Sequence, residues 1–434
     1  MRVPSDWGVA IVAALVGAAW MPSGIVAGAE LAATRRMAAA AATIVAGDAG
    51  RHVAALADDA FEGREAGSRG GRAAGAYIVE AIDHLGLEPA GDSGSFYQPF
   101  GSMRNILALA RGSDPTVADE LVIVSAHYDH VGYGNASNSY GPFGFVHNGA
   151  DDNASGVAGL IEIAEALQAL PVKPRRSILL AFWDGEEKGL LGSYHFLRVR
   201  PEPLRDFRIV FCINLDMIGR LRGERVEVYG SRTSPGLRAL TVAVNNRAGA
   251  TALELAYDWK IDPDSDHYPF IERQIPTLMF HTGLHDNYHR PSDDVHLVNL
   301  AGLEPVARLT FATAIAVADE GSPPRPFRAA CRRESESSQR LLEGQAAAGQ
   351  RGRWGIGTRS DAAEPQAPVV VRVAPGSPAA RGGLIVGDRV TMIDGAELVD
   401  QEDMVRRLGG AGDRVTMIVD RRGRLVQLVL HDAN

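Results

Sequence analysis

Uninterrupted apolar runs that break off at potential metal ligands constrain this chain of 434 residues more than any other feature. Leu121–Ala126 leads into His127 and Asp129, Ser177–Trp183 into Glu186 and Glu187, and Ile209–Leu215 into Asp216. His289 follows Thr277–His281 by a short loop, and Asp151 and Asp152 stand just before a helical stretch. Runs without polar alternation predict strands buried on both faces, as in a largely parallel sheet covered by helices. Helical spacing over Arg72–Leu85, stopping at Gly86, and around Ser155–Leu170, stopping before Pro171, supplies covering elements. The expected fold class is therefore α/β, with a mixed, mostly parallel central sheet flanked by helices. In open α/β sheets ligands bind beyond the carboxyl ends of the strands, so these distant residues are expected to meet at one edge.

The residue types fit a two-metal hydrolase. Neutral imidazoles and carboxylates suit zinc without a thiolate, and one shared carboxylate can bridge two ions. Such chemistry also needs a carboxylate that is not a ligand, to take a proton from water and deliver it to the leaving group. Glu186 and Glu187 are adjacent and project differently from a loop, so one can ligate while the other acts as base. Asp129, two residues after His127, can orient that imidazole. Taken singly, a His at a strand end or a Glu-Glu pair is more often a surface or core feature. Their assembly in one order within Ala-His-Tyr-Asp, Gly-Ala-Asp-Asp-Asn-Ala-Ser-Gly, Glu-Glu-x-Gly-Leu-x-Gly-Ser, Asn-Leu-Asp-Met and Tyr-His-x-Pro-Ser-Asp is not a chance arrangement.

These motifs, over Arg51 to Ala318, resemble the bacterial leucyl aminopeptidase family of secreted di-zinc exopeptidases, which also contains glutamate carboxypeptidases and glutaminyl cyclases. The resemblance implies two zinc ions. His127 and Asp216 complete one site, Glu187 and His289 the other, and Asp152, not Asp151, bridges. It gives Glu186 the general-base position and Tyr288 the role of oxyanion donor, and it puts a cis peptide at Asp152–Asn153. Asp129, Asp151, Asp266 and His281 are expected just behind the ligands, and His285 there or at the rim. The implied activity is removal of N-terminal residues from peptides with a free N-terminus, by a metal-bound hydroxide whose proton Glu186 moves. A carboxypeptidase would need an arginine clamp, for which Arg220 and Arg290 are candidates, and a glutaminyl cyclase usually works with one zinc. Ser265-Asp266-His267 has the letters of a triad, but sequence neighbours rarely form one. The glycine-rich stretch 61–72 lacks the Gly-Lys-Ser/Thr of a phosphate loop and reads as a loop near the cleft mouth.

Beyond this region the composition changes. Residues 321–353 are Pro-rich and then polar, which reads as a linker between a domain over 30–320 and a second over 354–434. Within Trp354–Leu430 four strand candidates, Pro375-Gly376-Ser377-Pro378 and Gly387-Asp388 resemble a PDZ domain. Its peptide-binding loop would be Trp354, Gly355, Ile356 and Gly357, and its ligand an extended peptide added as a strand. A packing module without a free groove, or a non-catalytic protein that uses only this module, is the alternative. The formal charge of -9 excludes a nucleic-acid partner in the usual electrostatic mode. Arg2, the apolar run from Trp7 to Trp20 and Ala27-Gly28-Ala29 read as a signal peptide over 1–29, implying export; an uncleaved membrane anchor is the alternative. Cys212 lies in an apolar run and Cys331 in the polar linker, and two distant cysteines make no disulfide framework.

Overall fold

A computed structural model describes residues 37–247, 252–321, 324–344 and 352–432. The expected signal peptide lies outside the described residues. Nine strands form the larger sheet: β1 (Glu88–Pro89), β2 (Tyr97–Phe100), β3 (Met103–Ala110), β4 (Glu120–His127), β5 (Ser177–Trp183), β6 (Arg208–Leu215), β7 (Arg225–Tyr229), β8 (Glu254–Tyr257) and β9 (Thr277–His281). Their order is β1-β3-β5-β4-β6-β9-β7-β8, with β2 on β3. The central quartet β5-β4-β6-β9 is parallel throughout, whereas β3 joins β5 and β7 joins β9 in antiparallel fashion. The fold is thus α/β with a mixed sheet whose parallel heart is the quartet.

Alternation explains why the quartet lies between two layers. In β4, Val122, Val124 and Ala126 face the main core while Leu121 and Ile123 face a second core on the opposite side. In β5, Ile178, Leu180 and Phe182 face the first, and Leu179, Ala181 and Trp183 the second. With every residue of both strands buried, neither face is left to water. Helices α1 (Ala46–Leu56), α2 (Arg69–Asp83), α3 (Gly156–Gln168), α4 (Leu191–Arg198), α5 (Leu237–Asn245), α6 (His267–Glu272) and α7 (Leu300–Ala318) cover the sheet. Ser68 caps α2, its Oγ accepting from Gly71 N at 3.0 Å, so the helix starts three residues earlier than its apolar spacing predicts. Nearly every residue of α3 is buried, as befits a helix with few polar residues, Glu162, Glu165 and Gln168. Helix α7 is long and apolar enough to cross a membrane, but most of it is buried in the core. Cys212 and Cys331 are both buried free thiols.

The second sheet comprises β10 (Ile356–Arg359), β11 (Val369–Val373), β12 (Arg389–Ile393), β13 (Ala396–Glu397), β14 (Arg414–Arg421) and β15 (Arg424–His431), in the order β10-β11-β12-β14-β15 with β13 on β12. It packs over a core of its own that includes Trp354, Val370, Val390, Met417 and Leu430. The β14–β15 turn docks on the edge of the larger sheet: Leu255 N of β8 donates to Arg422 O at 2.8 Å, and Asn245 and Asn246 side chains donate to Gly423 O. Gly423 has φ 82°, and a Cβ there would meet the Leu255 side chain at 2.5 Å, so the close approach requires glycine. This contact covers an edge strand that would otherwise stand open.

Candidate active site

The carboxyl ends of the parallel quartet share one edge, and the loops leaving them bring the predicted residues together. His127 ends β4, Glu186 and Glu187 follow β5, Asp216 follows β6, and His289 lies beyond β9. Asp152 sits in a tight turn ahead of α3, and the Asp152–Asn153 peptide is cis. The carboxylate of Asp152 divides its oxygens between two clusters. On one side, His127 Nε2 lies 3.4 Å from Asp152 Oδ1 and 3.5 Å from Asp216 Oδ1. On the other, His289 Nε2 lies 3.1 Å from Asp152 Oδ2 and 3.2 Å from Glu187 Oε1. His130, which sequence reasoning passed over, joins the second cluster, its Nδ1 2.9 Å from Glu187 Oε1 and 3.6 Å from Asp152 Oδ2. Its sequence signal was its place in the same strand-end loop, one residue past Asp129.

Both clusters fit divalent metal ions. The atoms of His127, Asp152 and Asp216, and those of His130, Asp152, Glu187 and His289, each lie within 4.8 Å of one another. Asp152 Oδ2 and His130 Nε2 are buried without hydrogen-bond partners. Imidazole nitrogens and carboxylate oxygens crowded this closely offer more lone pairs than protons, and a cation of the zinc type satisfies them. Burial alone would raise the Glu187 carboxyl, but hydrogen bonds and charge from His130 and His289 hold it well below the usual range.

The surrounding residues fix these ligands. Asp129 meets His127 through its main-chain carbonyl, 3.2 Å from Nδ1, while its carboxylate accepts from the amides of Glu186 (3.1 Å) and Glu187 (3.3 Å). Thus it sets the direction of both glutamates as well as the ring. Asp151 turns away from the clusters: Oδ1 accepts from Gly219 N and Oδ2 lies 3.1 Å from His285 Nε2. Asp293 accepts from the amides of Asp151 and Asp152 at 2.9 and 3.1 Å and pairs with Arg220 at 3.0 Å. A buried relay runs from Ser125 through Asn214 to Ser265, whose Oγ donates to Asp216 Oδ2 at 2.6 Å. Ser265 thus serves Asp216 and is no nucleophile. Asp266 is buried beside Ser193, and burial lifts its carboxyl to about 7. His281 Nδ1 accepts from Gly283 N at 2.7 Å.

Arg64, in the glycine-rich stretch, is also unanticipated. It is fully buried and donates to the carbonyls of Leu56, Tyr128, Asn148 and Gly149, strapping together the loops that carry His127 and Asp152. Glu186 belongs to neither cluster. Burial pushes its carboxyl well above the usual range, Glu187, Asp266 and Asp216 add to this, and His127 opposes it. The Tyr288 ring stacks on His289 with centroids 3.9 Å apart. Burial and the charges of Asp152, Glu187 and Glu186 raise its phenol far enough to keep it a proton donor.

Residues 105–314 match peptidase family M28. This segment of the chain is similar to that family. The M28 segment carries every residue of both clusters. Residues 369–421 match the PDZ domain, in agreement with the second sheet. Aminopeptidase YwaD of Bacillus subtilis is 29% identical over 205 residues, which span 44% of this chain and 40% of that protein. The chain therefore matches well under two thirds of that relative's length. The solved structure of BSAP, a zinc aminopeptidase from Bacillus subtilis, superposes with a TM-score of 0.51 at 17% identity, over 65% of this chain and 98% of that one. A glutaminyl cyclase from Bacteroides thetaiotaomicron bound to N-acetylhistamine gives the same TM-score of 0.51 at 20% identity, over 64% and 98%. The fold is thus shared equally with both, and by itself it does not choose the reaction.

Ahead of the PDZ match, Trp354 is buried and its indole Nε1 donates to Leu408 O at 3.0 Å. Gly355 has φ 74° against Ser377, and Ile356 and Gly357 begin β10, the end strand of that sheet. Gln401 Nε2 donates to Thr358 O on that strand at 3.0 Å.

Proposed function

We propose that the protein is a zinc-dependent aminopeptidase holding two ions in the clusters that share Asp152, with Glu186 as general base. The observation that carries this reading is the division of the Asp152 oxygens between two ligand sets, with a half-buried Glu186 beside both and in neither. His127, Asp152 and Asp216 would hold one ion, and Asp152, Glu187 and His289 the other. Bound zinc acidifies a water and polarises a carbonyl. Glu186 takes the proton from the attacking water and passes it to the departing amine, a task its raised carboxyl suits. The Tyr288 hydroxyl donates to the oxygen on which negative charge develops. Asp129 keeps Glu186 and Glu187 pointing to separate tasks. The acidic site, and the aminopeptidase relative, favour a substrate with a free α-ammonium group.

A carboxypeptidase needs an unengaged guanidinium for the substrate carboxylate. Arg220 is paired with Asp293, and Arg290 donates to the carbonyls of Tyr140 and Gly141. Two intact clusters likewise disfavour a cyclase that uses one ion. The PDZ segment would bind an extended peptide along β10, and the N-terminal run supports export.

The decisive experiment is a panel of aminoacyl chromogenic substrates with free and with acylated N-termini, before and after chelation. Free termini should be turned over, chelation should abolish turnover, and Glu186→Ala should lower kcat about 10²–10⁴-fold. Equal turnover of acylated substrates, or undiminished turnover by the variant, would count against the mechanism.

A further inference from the structure

A second constellation of metal-ligating side chains lies outside the cleft, where α1 packs on α3. His52 projects from α1, and Glu162 and Glu165, three apart and therefore neighbours on one helix face, project from α3. One ligand atom from each of the three lies within 4.8 Å of the others. Glu165 stands about 14 Å along α3 from its first residue, so the group is separate from Asp152.

The state of Glu162 makes this more than a chance meeting of acids. Its side chain is fully buried. Oε2 accepts from Val45 N at 2.9 Å, at the start of α1, but Oε1 is buried with no hydrogen-bond partner among the described residues. A buried acceptor left unmet is costly, more so when charged, so a proton or a cation belongs there. The His52 ring is held by Tyr77, whose hydroxyl is 2.8 Å from Nδ1, the kind of outer contact that orients a metal-bound imidazole. Arg51, on the same helix, is paired with Asp48. One neutral imidazole and two carboxylates balance the charge of a divalent ion, which allows burial without net charge.

We propose that His52, Glu162 and Glu165 bind one divalent transition-metal ion of the zinc class, a structural site that ties α1 to α3. Ligand atoms about 2.0–2.2 Å from one zinc are drawn to within the observed spread by small side-chain rotations. The half-exposed side of the group leaves room for water as a further ligand.

The test titrates the full-length protein with Zn²⁺ against a competing chelator and counts bound zinc per chain. Glu165→Gln and His52→Asn should each bind one equivalent less than the wild type, with peptidase turnover unchanged. Combined with Glu187→Gln, the loss should add to that of the catalytic cluster. Should His52→Asn fold poorly, Glu165→Gln decides, since Glu165 is only half buried and keeps its size. An unchanged zinc count in a folded Glu165→Gln protein overturns the proposal and assigns a proton shared between Glu162 and Glu165 instead.

Discussion

Glu186 and Glu187 are chemically identical neighbours whose roles are set by what their carboxylates face. Glu187 meets His130 and His289, while the half-buried Glu186 stands among other acids without joining a cluster. Asp152 and Asp151 divide in the same way, one toward two ligand sets and the other toward Gly219 N and His285. Asp152→Asn should therefore cost both catalytic ions, while Glu187→Gln costs one, as counted by elemental analysis of dialysed protein. Equal losses in the two variants would argue against a shared carboxylate. The sequence made His127, Asp152, Glu187, Asp216 and His289 legible because each stands at an abrupt end of an apolar run or in a dense polar motif. It did not reveal Arg64, because a side chain that bonds to four backbone carbonyls leaves no partner residue to read. Ser265 was legible only as a letter in a false triad, since its target, Asp216, is 49 positions away.

At the scale of elements, the parallel quartet does the positioning, and it was the most readable part of the fold. Strands β4, β5, β6 and β9 announce themselves as apolar runs because both faces are buried. Strand β3 was not read, since Met103–Ala110 is rich in Leu and Ala, residues that favour helix until a neighbouring strand overrides them. Strand β10 starts inside Trp354–Gly357, which reads as a loop in sequence because glycines flank Ile356 there. Ile123 sits in β4, fully buried in the second core, four residues ahead of His127. Ile123→Ala should lower the unfolding free energy by about 2–5 kcal/mol, measured by urea denaturation of the metal-loaded protein. A cost under about 1 kcal/mol would mean that the second core is loosely packed and that the strand edge is held from the other face alone.

For the whole molecule, the stretch after α7 reads by composition as a polar connector, yet its charges are spent in ion pairs. Glu334 accepts from Arg232 and Arg328, and Arg232 also pairs with Asp361 at 2.8 Å, near the start of the PDZ segment. Arg389 meets the same Asp361 at 2.8 Å, and Arg238 of α5 meets Asp420 of β14 at 2.6 Å. Composition shows such residues as solvated because it cannot show their partners. This network makes the docking of the two sheets sensitive to acid. Burial would raise the Glu334 carboxyl, but hydrogen bonds from Arg328 and Arg232, with their charges, hold it at about 2, against an ordinary value of 4.5. A folded pKa below the unfolded one gives stability that is full above about pH 4.5 and fades as pH falls toward 2. Glu334→Gln should therefore be less stable than the wild type by about 2 kcal/mol at pH 6. The gap in thermal midpoint between the two proteins should close on acidification across that window. Taking the difference removes the loss of metal in acid, which both proteins share. A gap that stays constant from pH 6 to pH 2.5 would show that Glu334 keeps its proton affinity on folding and that the arginines are satisfied elsewhere.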